Sequence, residues 1–92
     1  MKGYVIAKVA VHDAAAYEGY RAKVGATIEA HGGRFLVRGG AATVKEGDES
    51  KPRLVVLEFP SVEAAEAWYG SPAYQAILPL RTANAQADVV IV

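Results

Sequence analysis

The sequence contains no cysteine and a single methionine. The absence of cysteine excludes disulfide bonds, thiolate chemistry and cysteine-ligated metal sites. No apolar run approaches the ~20 residues that a membrane-spanning helix needs. The apolar stretch near the N-terminus is interrupted by Lys8, and no small-residue cleavage site follows it, so it does not resemble a signal peptide. We therefore expect a cytoplasmic protein.

Neither positive nor negative charge is in excess. Ten basic residues balance ten acidic ones, and the formal net charge is zero. Nucleic-acid-binding proteins normally carry a basic excess, and membrane-surface proteins carry polybasic segments. The balance argues against both, so we expect neither nucleic acid nor a membrane as a partner.

The length fits one domain, residues 1–92, and hydrophobic residues make up 52% of it. An isolated domain of this size buries only about two-thirds of its unfolded surface. Either the core is unusually complete or a partner covers part of the surface.

The hydrophobic pattern and the turn residues predict seven elements. In chain order they are a strand over 3–11, a helix over 14–31 capped by Asp13, strands over 34–38 and 53–59, a helix over 62–70 capped by Ser61, a short helix over 72–78 that ends near Pro79, and a strand over 88–92. The order β-α-β-β-α-β predicts an α+β, ferredoxin-like fold, a four-stranded antiparallel sheet with the helices on one face.

Alternation along the strands predicts which residues face away from the helices. Phe35 and Val37 should face the helices, and Arg34 and Arg38 should face away. The predicted outer face comprises Tyr4, Ile6, Lys8, Ala10, Arg34, Leu36, Arg38, Leu54, Val56, Glu58, Asp88, Val90 and Val92. This set is too apolar for a face exposed to water, so we expect a second copy to pack on it as a homodimer.

The glycine pair Gly39-Gly40 follows the second strand directly. Paired glycines inside a strand pattern are typical of a bulge or bend. We expect residues 41–45 to continue from this bulge as an arm that reaches over the partner.

Several motifs together resemble those of a known family. They are Tyr17-x-x-Tyr20, Gly32-Gly33-Arg34-Phe35-Leu36-x-Arg38-Gly39-Gly40, Glu58-Phe59-Pro60-Ser61, Trp68-Tyr69-x-Ser71-Pro72-x-Tyr74 and Arg81. Over nearly the whole chain, the sequence resembles domain-of-unknown-function family 1330, a family of small bacterial domains. The resemblance implies the dimeric α/β-barrel superfamily, in which two ferredoxin-like sheets pack face to face. That superfamily includes cofactor-free monooxygenases, muconolactone isomerase and haem-degrading enzymes, but the resemblance implies no reaction and no catalytic residues.

Arginines and aromatic residues are the candidate ligand-binding groups. Arg34 and Arg38 have the forked guanidinium that binds carboxylates, and the alternative is that they pair with Glu58 or Asp88. Strand pairing places Glu58 within reach of one of the two arginines.

Tyr20, Trp68 and Tyr74 would form the apolar walls of such a site. Core packing is the alternative for these aromatic residues. Arg81 would lie at the mouth of the pocket or on the surface.

No metal or cofactor site is indicated. His12 and His31 are the two histidines, and they lack the spacing of metal ligands. His31 suits the negative end of the first helix, and a proton-transfer role is the alternative. Nucleotide and nucleophile motifs are absent, as is a haem-ligand pattern.

The sequence therefore leaves three functional hypotheses open. The first is a barrel that binds or transforms a small organic acid or aromatic compound. The second is a non-catalytic structural or stress-related dimer. The third is a cofactor-free monooxygenase or isomerase, with His31, Glu58 or a tyrosine as its proton-transfer group.

Overall fold

The computed structural model describes residues 1–92. In chain order its elements are β1 (Gly3–Val11), α1 (Ala14–Glu29), β2 (Arg34–Ala41), β3 (Arg53–Phe59), α2 (Val62–Gly70), α3 (Pro72–Thr82) and β4 (Ala85–Ile91). The strands form one four-stranded antiparallel sheet in the order β2-β3-β1-β4. The predicted α+β, ferredoxin-like arrangement is confirmed. None of the helices is both long and apolar enough to cross a bilayer.

Side-chain caps fix where the helices begin. The side chain of Asp13 accepts a hydrogen bond from the backbone N–H of Ala16 at 3.0 Å. Ser61 and Ser71 cap α2 and α3 in the same way. These caps satisfy backbone donors that have no partner within the first turn of a helix.

Four elements have bounds that differ from the prediction, and one of them is the strand β2, which extends to Ala41 rather than ending at residue 38. The helix α1 ends at Glu29 rather than at His31. The helix α3 continues through Pro79 to Thr82, because proline removes one backbone donor while Ile77 and Arg81 on either side are buried. The strand β4 begins at Ala85, three residues earlier than predicted, because residues 85–87 pair with the end of β1.

The core lies between the sheet and the three helices. Its fully buried members are mostly β-branched and aromatic: Val5, Val9, Tyr17, Tyr20, Val24, Ile28, Leu57, Phe59, Ala65, Trp68, Tyr74, Ile77 and Ala85. Burying each large side chain contributes roughly 1.5–3 kcal/mol to folding. The aromatic residues contact one another, with the rings of Trp68 and Tyr74 only 4.2 Å apart between centroids.

The strand β2 contains two irregularities that change which side chains face the helices. Phe35 pairs with Leu57, but Val37 pairs with Val56, so one extra residue, Leu36, is inserted between them. An inserted residue reverses the alternation beyond it. Arg38 therefore lies opposite Val55, on the helix face. The prediction that Val37 faces the helices and Arg38 faces away was wrong, because alternation assumes an unbroken strand.

The second irregularity lies at the glycine pair. The register shifts between Arg38 and Gly40. Gly39 has a φ of 76°, a left-handed backbone conformation that glycine adopts without strain. The bulge predicted at the glycine pair is confirmed. The strand continues past it to Ala41.

The other face of the sheet, which we call the open face, has no helix over it. Three of its large apolar side chains are substantially exposed: Leu36 at 46%, Val90 at 55% and Val92 at 64%. Arg34 and Glu58 lie opposite each other on this face and form an ion pair at 3.0 Å. Lys8 lies opposite Asp88, whose carboxylate contacts Lys51 at 3.4 Å.

Candidate functional site

A cavity lies between α1 and the helix face of the sheet. Its lining is mostly apolar, with 13 hydrophobic residues among the 17 that line it. The remaining four are all arginines: Arg21, Arg38, Arg53 and Arg81. No acidic residue lines the cavity. The cavity volume is about 60 Å³.

Arg81 forms the deepest charged group of the cavity. It projects from the last turn of α3, and only 7% of its surface is exposed. Its guanidinium carbon lies 5.9 Å from the centre of the Tyr20 ring. Burial on its own would lower the pKa of Arg81, but the neighbouring Tyr74 and Tyr20 raise that pKa above its ordinary value. Arg81 therefore keeps its charge.

Two phenol groups lie beside Arg81. The hydroxyls of Tyr20 and Tyr74 are 2.8 Å apart and share a hydrogen bond. Because one hydroxyl donates to the other, the second hydroxyl keeps a proton that it can donate elsewhere. Burial raises the pKa of Tyr20 strongly, and the nearby Tyr74 raises it further. Tyr20 therefore stays protonated and acts in hydrogen bonding rather than as a base.

Arg53 and Arg38 form a second charged group, on β3 and β2. The guanidinium carbon of Arg53 lies 5.9 Å from the ring centre of Tyr17, and its Nε is buried without a hydrogen-bond partner. Burial raises the pKa of Tyr17, while Arg53 and then Arg81 oppose that shift. Arg38 stacks on the ring of Phe35 at 4.3 Å.

Three of the four cavity arginines have no acidic partner. Arg21 pairs with Glu18 on the surface at 3.1 Å. The other two ion pairs of the chain, Arg34–Glu58 and Lys51–Asp88, lie away from the cavity. Arg38, Arg53 and Arg81 thus place positive charge against an apolar pocket without a carboxylate to balance it, an arrangement suited to an anion that carries apolar groups.

The structure brings together five of the seven residues predicted to bind a ligand: Arg38, Tyr20, Trp68, Tyr74 and Arg81. It places Arg34 and Glu58 elsewhere, as an ion pair on the open face. The indole N–H of Trp68 donates to the hydroxyl of Thr27 at 3.0 Å, so Trp68 offers the cavity only its ring.

His31 is not among the residues that line the cavity. Its Nδ1 lies 3.2 Å from the backbone oxygen of Thr27, at the end of α1. This contact satisfies a carbonyl of the last helical turn.

Sequence reasoning missed Tyr17, Arg21 and Arg53 as cavity residues. For Arg53 a signal existed, because alternation along β3 places it on the same face as Val55 and Leu57. Tyr17 shares the buried side of α1 with Tyr20, Val24 and Ile28, a spacing that indicates burial but not a cavity. Nothing in the spacing of Arg21 distinguishes it from a surface arginine.

Several solved structures share this fold. A protein of unknown function from Rhodopseudomonas palustris is 19% identical, with a TM-score of 0.81 over 99% of this chain and 80% of that one. A dimeric ferredoxin-like protein of unknown function from Jannaschia is 16% identical, with a TM-score of 0.74 over 100% and 98% of the two chains. SnoaB, a cofactor-independent oxygenase from Streptomyces nogalater, is 14% identical, with a TM-score of 0.67 over 99% and 90%.

At these identities the solved structures show the fold alone. A search among curated proteins gave no match. The model of one family matches residues 2–92, which is nearly the whole chain. The protein therefore belongs to the family described as a domain of unknown function, DUF1330.

Proposed function

We propose that the cavity between the sheet and the helices binds a small organic acid. The observation that supports this most directly is the lining itself, in which the polar side chains are four arginines without a carboxylate. Three of them have no ion-pair partner in the chain. A bound carboxylate would supply the missing negative charge, and its hydrocarbon part would contact the apolar walls.

Each part of the cavity has a role in this proposal. Arg81 and the hydroxyls of Tyr20 and Tyr74 bind the acid group at the deep end, where exclusion of water strengthens the interaction. The rings of Trp68 and Tyr74 contact the apolar part of the ligand. Arg38 lies at the exposed end, where a ligand enters.

A thermal-shift screen tests this proposal, with small carboxylates and phenols as probes. The chain offers a matched pair of variants, Arg38→Met and Arg34→Met, because both arginines lie on β2 and only Arg38 lines the cavity. We expect carboxylates to raise the melting temperature of the wild type and of Arg34→Met, and to raise that of Arg38→Met clearly less.

An equal response of the two variants would remove Arg38 from the site. No response of the wild type to any acid at millimolar concentration would contradict the proposal as a whole. The non-catalytic dimer and the cofactor-free monooxygenase or isomerase stay hypotheses. The same screen bears on them by showing which compounds bind.

We further propose that two copies pair through their open faces. The exposed apolar side chains of that face support this, because a contiguous apolar surface is unfavourable in water. The similar protein from Jannaschia is described as dimeric. We also propose the cytoplasm as the compartment of this protein, since the chain has no cysteine and needs no oxidising environment to form disulfide bonds.

A further inference from the structure

We propose that the ligand is a dianion, namely a short dicarboxylate whose two acid groups bind at two separate ends of the cavity. This inference rests on the proposed function, because it specifies which organic acid the same cavity takes. It follows from where the unpaired arginines lie relative to one another.

The first end is built around Arg81. This guanidinium is almost fully buried, carries its charge without a carboxylate partner, and lies against Tyr20. The Tyr20–Tyr74 hydroxyl pair adds one donor proton. A single carboxylate fits this end, with the guanidinium fork and the phenol as its donors.

The second end is built by Arg38 and Arg53, which lie on paired strands. Arg38 pairs with Val55, and Arg53 lies two residues before Val55 on the same strand, so both side chains are on the helix face. The Nε–H of Arg53 is buried and has no acceptor. An unsatisfied buried donor is unfavourable, and an oxygen of a second carboxylate would satisfy it.

Strand order separates the two ends. Arg38 and Arg53 come from β2 and β3, whereas Arg81 comes from α3, which packs against β4. The strand β1 lies between β3 and β4, so the backbones of β3 and β4 are ~10 Å apart. Apolar side chains of β1, Val5, Ala7 and Val9, line the cavity between them.

Charge leads to the same conclusion. The buried Arg81 and the half-buried Arg53 are like charges beside one apolar space, where their repulsion is less screened than in water, and the exposed Arg38 adds a third positive charge at its mouth. The two ends are built on opposite sides of β1, so two acid groups suit them better than one. A ligand with an acid group at each end relieves the repulsion and leaves its methylene groups against β1.

Isothermal titration of the wild-type chain with succinate, butyrate and sulfate tests the inference. Succinate and butyrate have the same number of carbon atoms and differ by one carboxylate, whereas sulfate carries two charges on one centre. We expect succinate to bind at least about tenfold more tightly than either, since one charge-assisted interaction is worth about that factor.

Variants assign the two ends. We expect Arg38→Met and Arg81→Met each to reduce succinate affinity to that of butyrate, and Arg34→Met to retain the wild-type preference. Because Arg81 is buried, its variant is first checked by circular dichroism and thermal melting. The exposed Arg38 provides the test even if that variant does not fold.

Two results would overturn the inference in distinguishable ways. If butyrate or sulfate binds as tightly as succinate, the two-ended site is wrong while the organic-acid site stands. If neither succinate nor butyrate binds while another acid raises the melting temperature in the screen above, the dicarboxylate inference fails and the organic-acid site stands; if no acid in that screen binds, both fail.

Discussion

The hydroxyls of Tyr20 and Tyr74 satisfy each other within the core. Removing either one takes the Tyr–Tyr hydrogen bond away from the other buried hydroxyl, so we expect Tyr20→Phe and Tyr74→Phe each to lower the free energy of unfolding by about 1–2 kcal/mol. The double variant should cost less than the sum of the two, because the second substitution removes a group that is already unpaired.

Urea unfolding measures these three free energies. The control is Tyr69→Phe, whose hydroxyl forms no hydrogen bond in the structure, and it should cost less than about 0.5 kcal/mol. Strict additivity of Tyr20→Phe and Tyr74→Phe would show that the two hydroxyls do not interact.

Tyr20 and Tyr17 make the stability of the fold depend on pH in the alkaline range. Burial raises the pKa of Tyr20 and of Tyr17 in the folded chain above the value of about 10 expected when unfolded. Above that pH the unfolded chain releases protons that the folded chain retains, so unfolding becomes more favourable. Stability from these groups is therefore fully present below pH ~10 and is lost as the pH rises further.

We expect the free energy of unfolding to fall between pH ~10 and pH ~11.5, and the fall to be smaller in Tyr20→Phe, by up to ~1.4 kcal/mol per pH unit. Urea titrations of both proteins across this range provide the measurement, with pH 7 as the reference. An identical pH dependence of the two proteins would rule out Tyr20 as a source of the effect.

At the scale of elements, the bulge at Gly39 in β2 lies against the guanidinium of Arg53, which lines the cavity. A Cβ atom built at Gly39 would collide with the guanidinium of Arg53, and the φ of 76° is strained for any other residue. We expect Gly39→Ala to lower the free energy of unfolding by about 1–2 kcal/mol and also to weaken ligand binding, because Arg53 must move.

Gly40→Ala is the matched control. A Cβ at Gly40 comes no closer than 3.7 Å to a neighbouring atom, at Val37, and its φ is not positive. Thermal melting measures the stability of both variants, and ligand titration measures their affinity. A larger effect in Gly39→Ala than in Gly40→Ala would be due to strain at Gly39 rather than to a general loss of strand order. Equal effects of the two substitutions would mean that Arg53 does not depend on the bulge.

The elements also show how far the sequence could predict the molecule. Cap residues and alternation located all four strands and the three helices, because these signals are local. The faces of Val37 and Arg38 could not be predicted, because a bulge depends on the pairing of two strands that are distant in sequence.

For the candidate site the limit was similar. The sequence does not distinguish Arg34 from Arg38. The strand register decides that Arg34 pairs with Glu58 and that Arg38 lines the cavity. Arg81 was expected at a pocket mouth or on the surface, because the helix α3 was predicted to end before it. Its burial follows from the continuation of α3 through Pro79.

At the scale of the whole molecule, we expect a dimer formed by the open faces. Light scattering should give twice the chain mass of 9.7 kDa. The variant Val90→Glu, in the apolar part of the face, should be monomeric, because an unpaired charge buried in an interface is costly. The control is Val62→Glu, at an exposed position that begins α2, and it should remain dimeric. A wild-type chain that is monomeric at micromolar concentration would contradict this assembly.

The location of the ligand is tested most directly by a crystal structure of the protein grown with succinate. The predicted result is one carboxylate within hydrogen-bond distance of Arg81 and the other near Arg38 and Arg53, with the methylene groups against β1. A cavity that holds only water, with succinate bound beside Arg34 on the open face or not bound at all, would contradict the account.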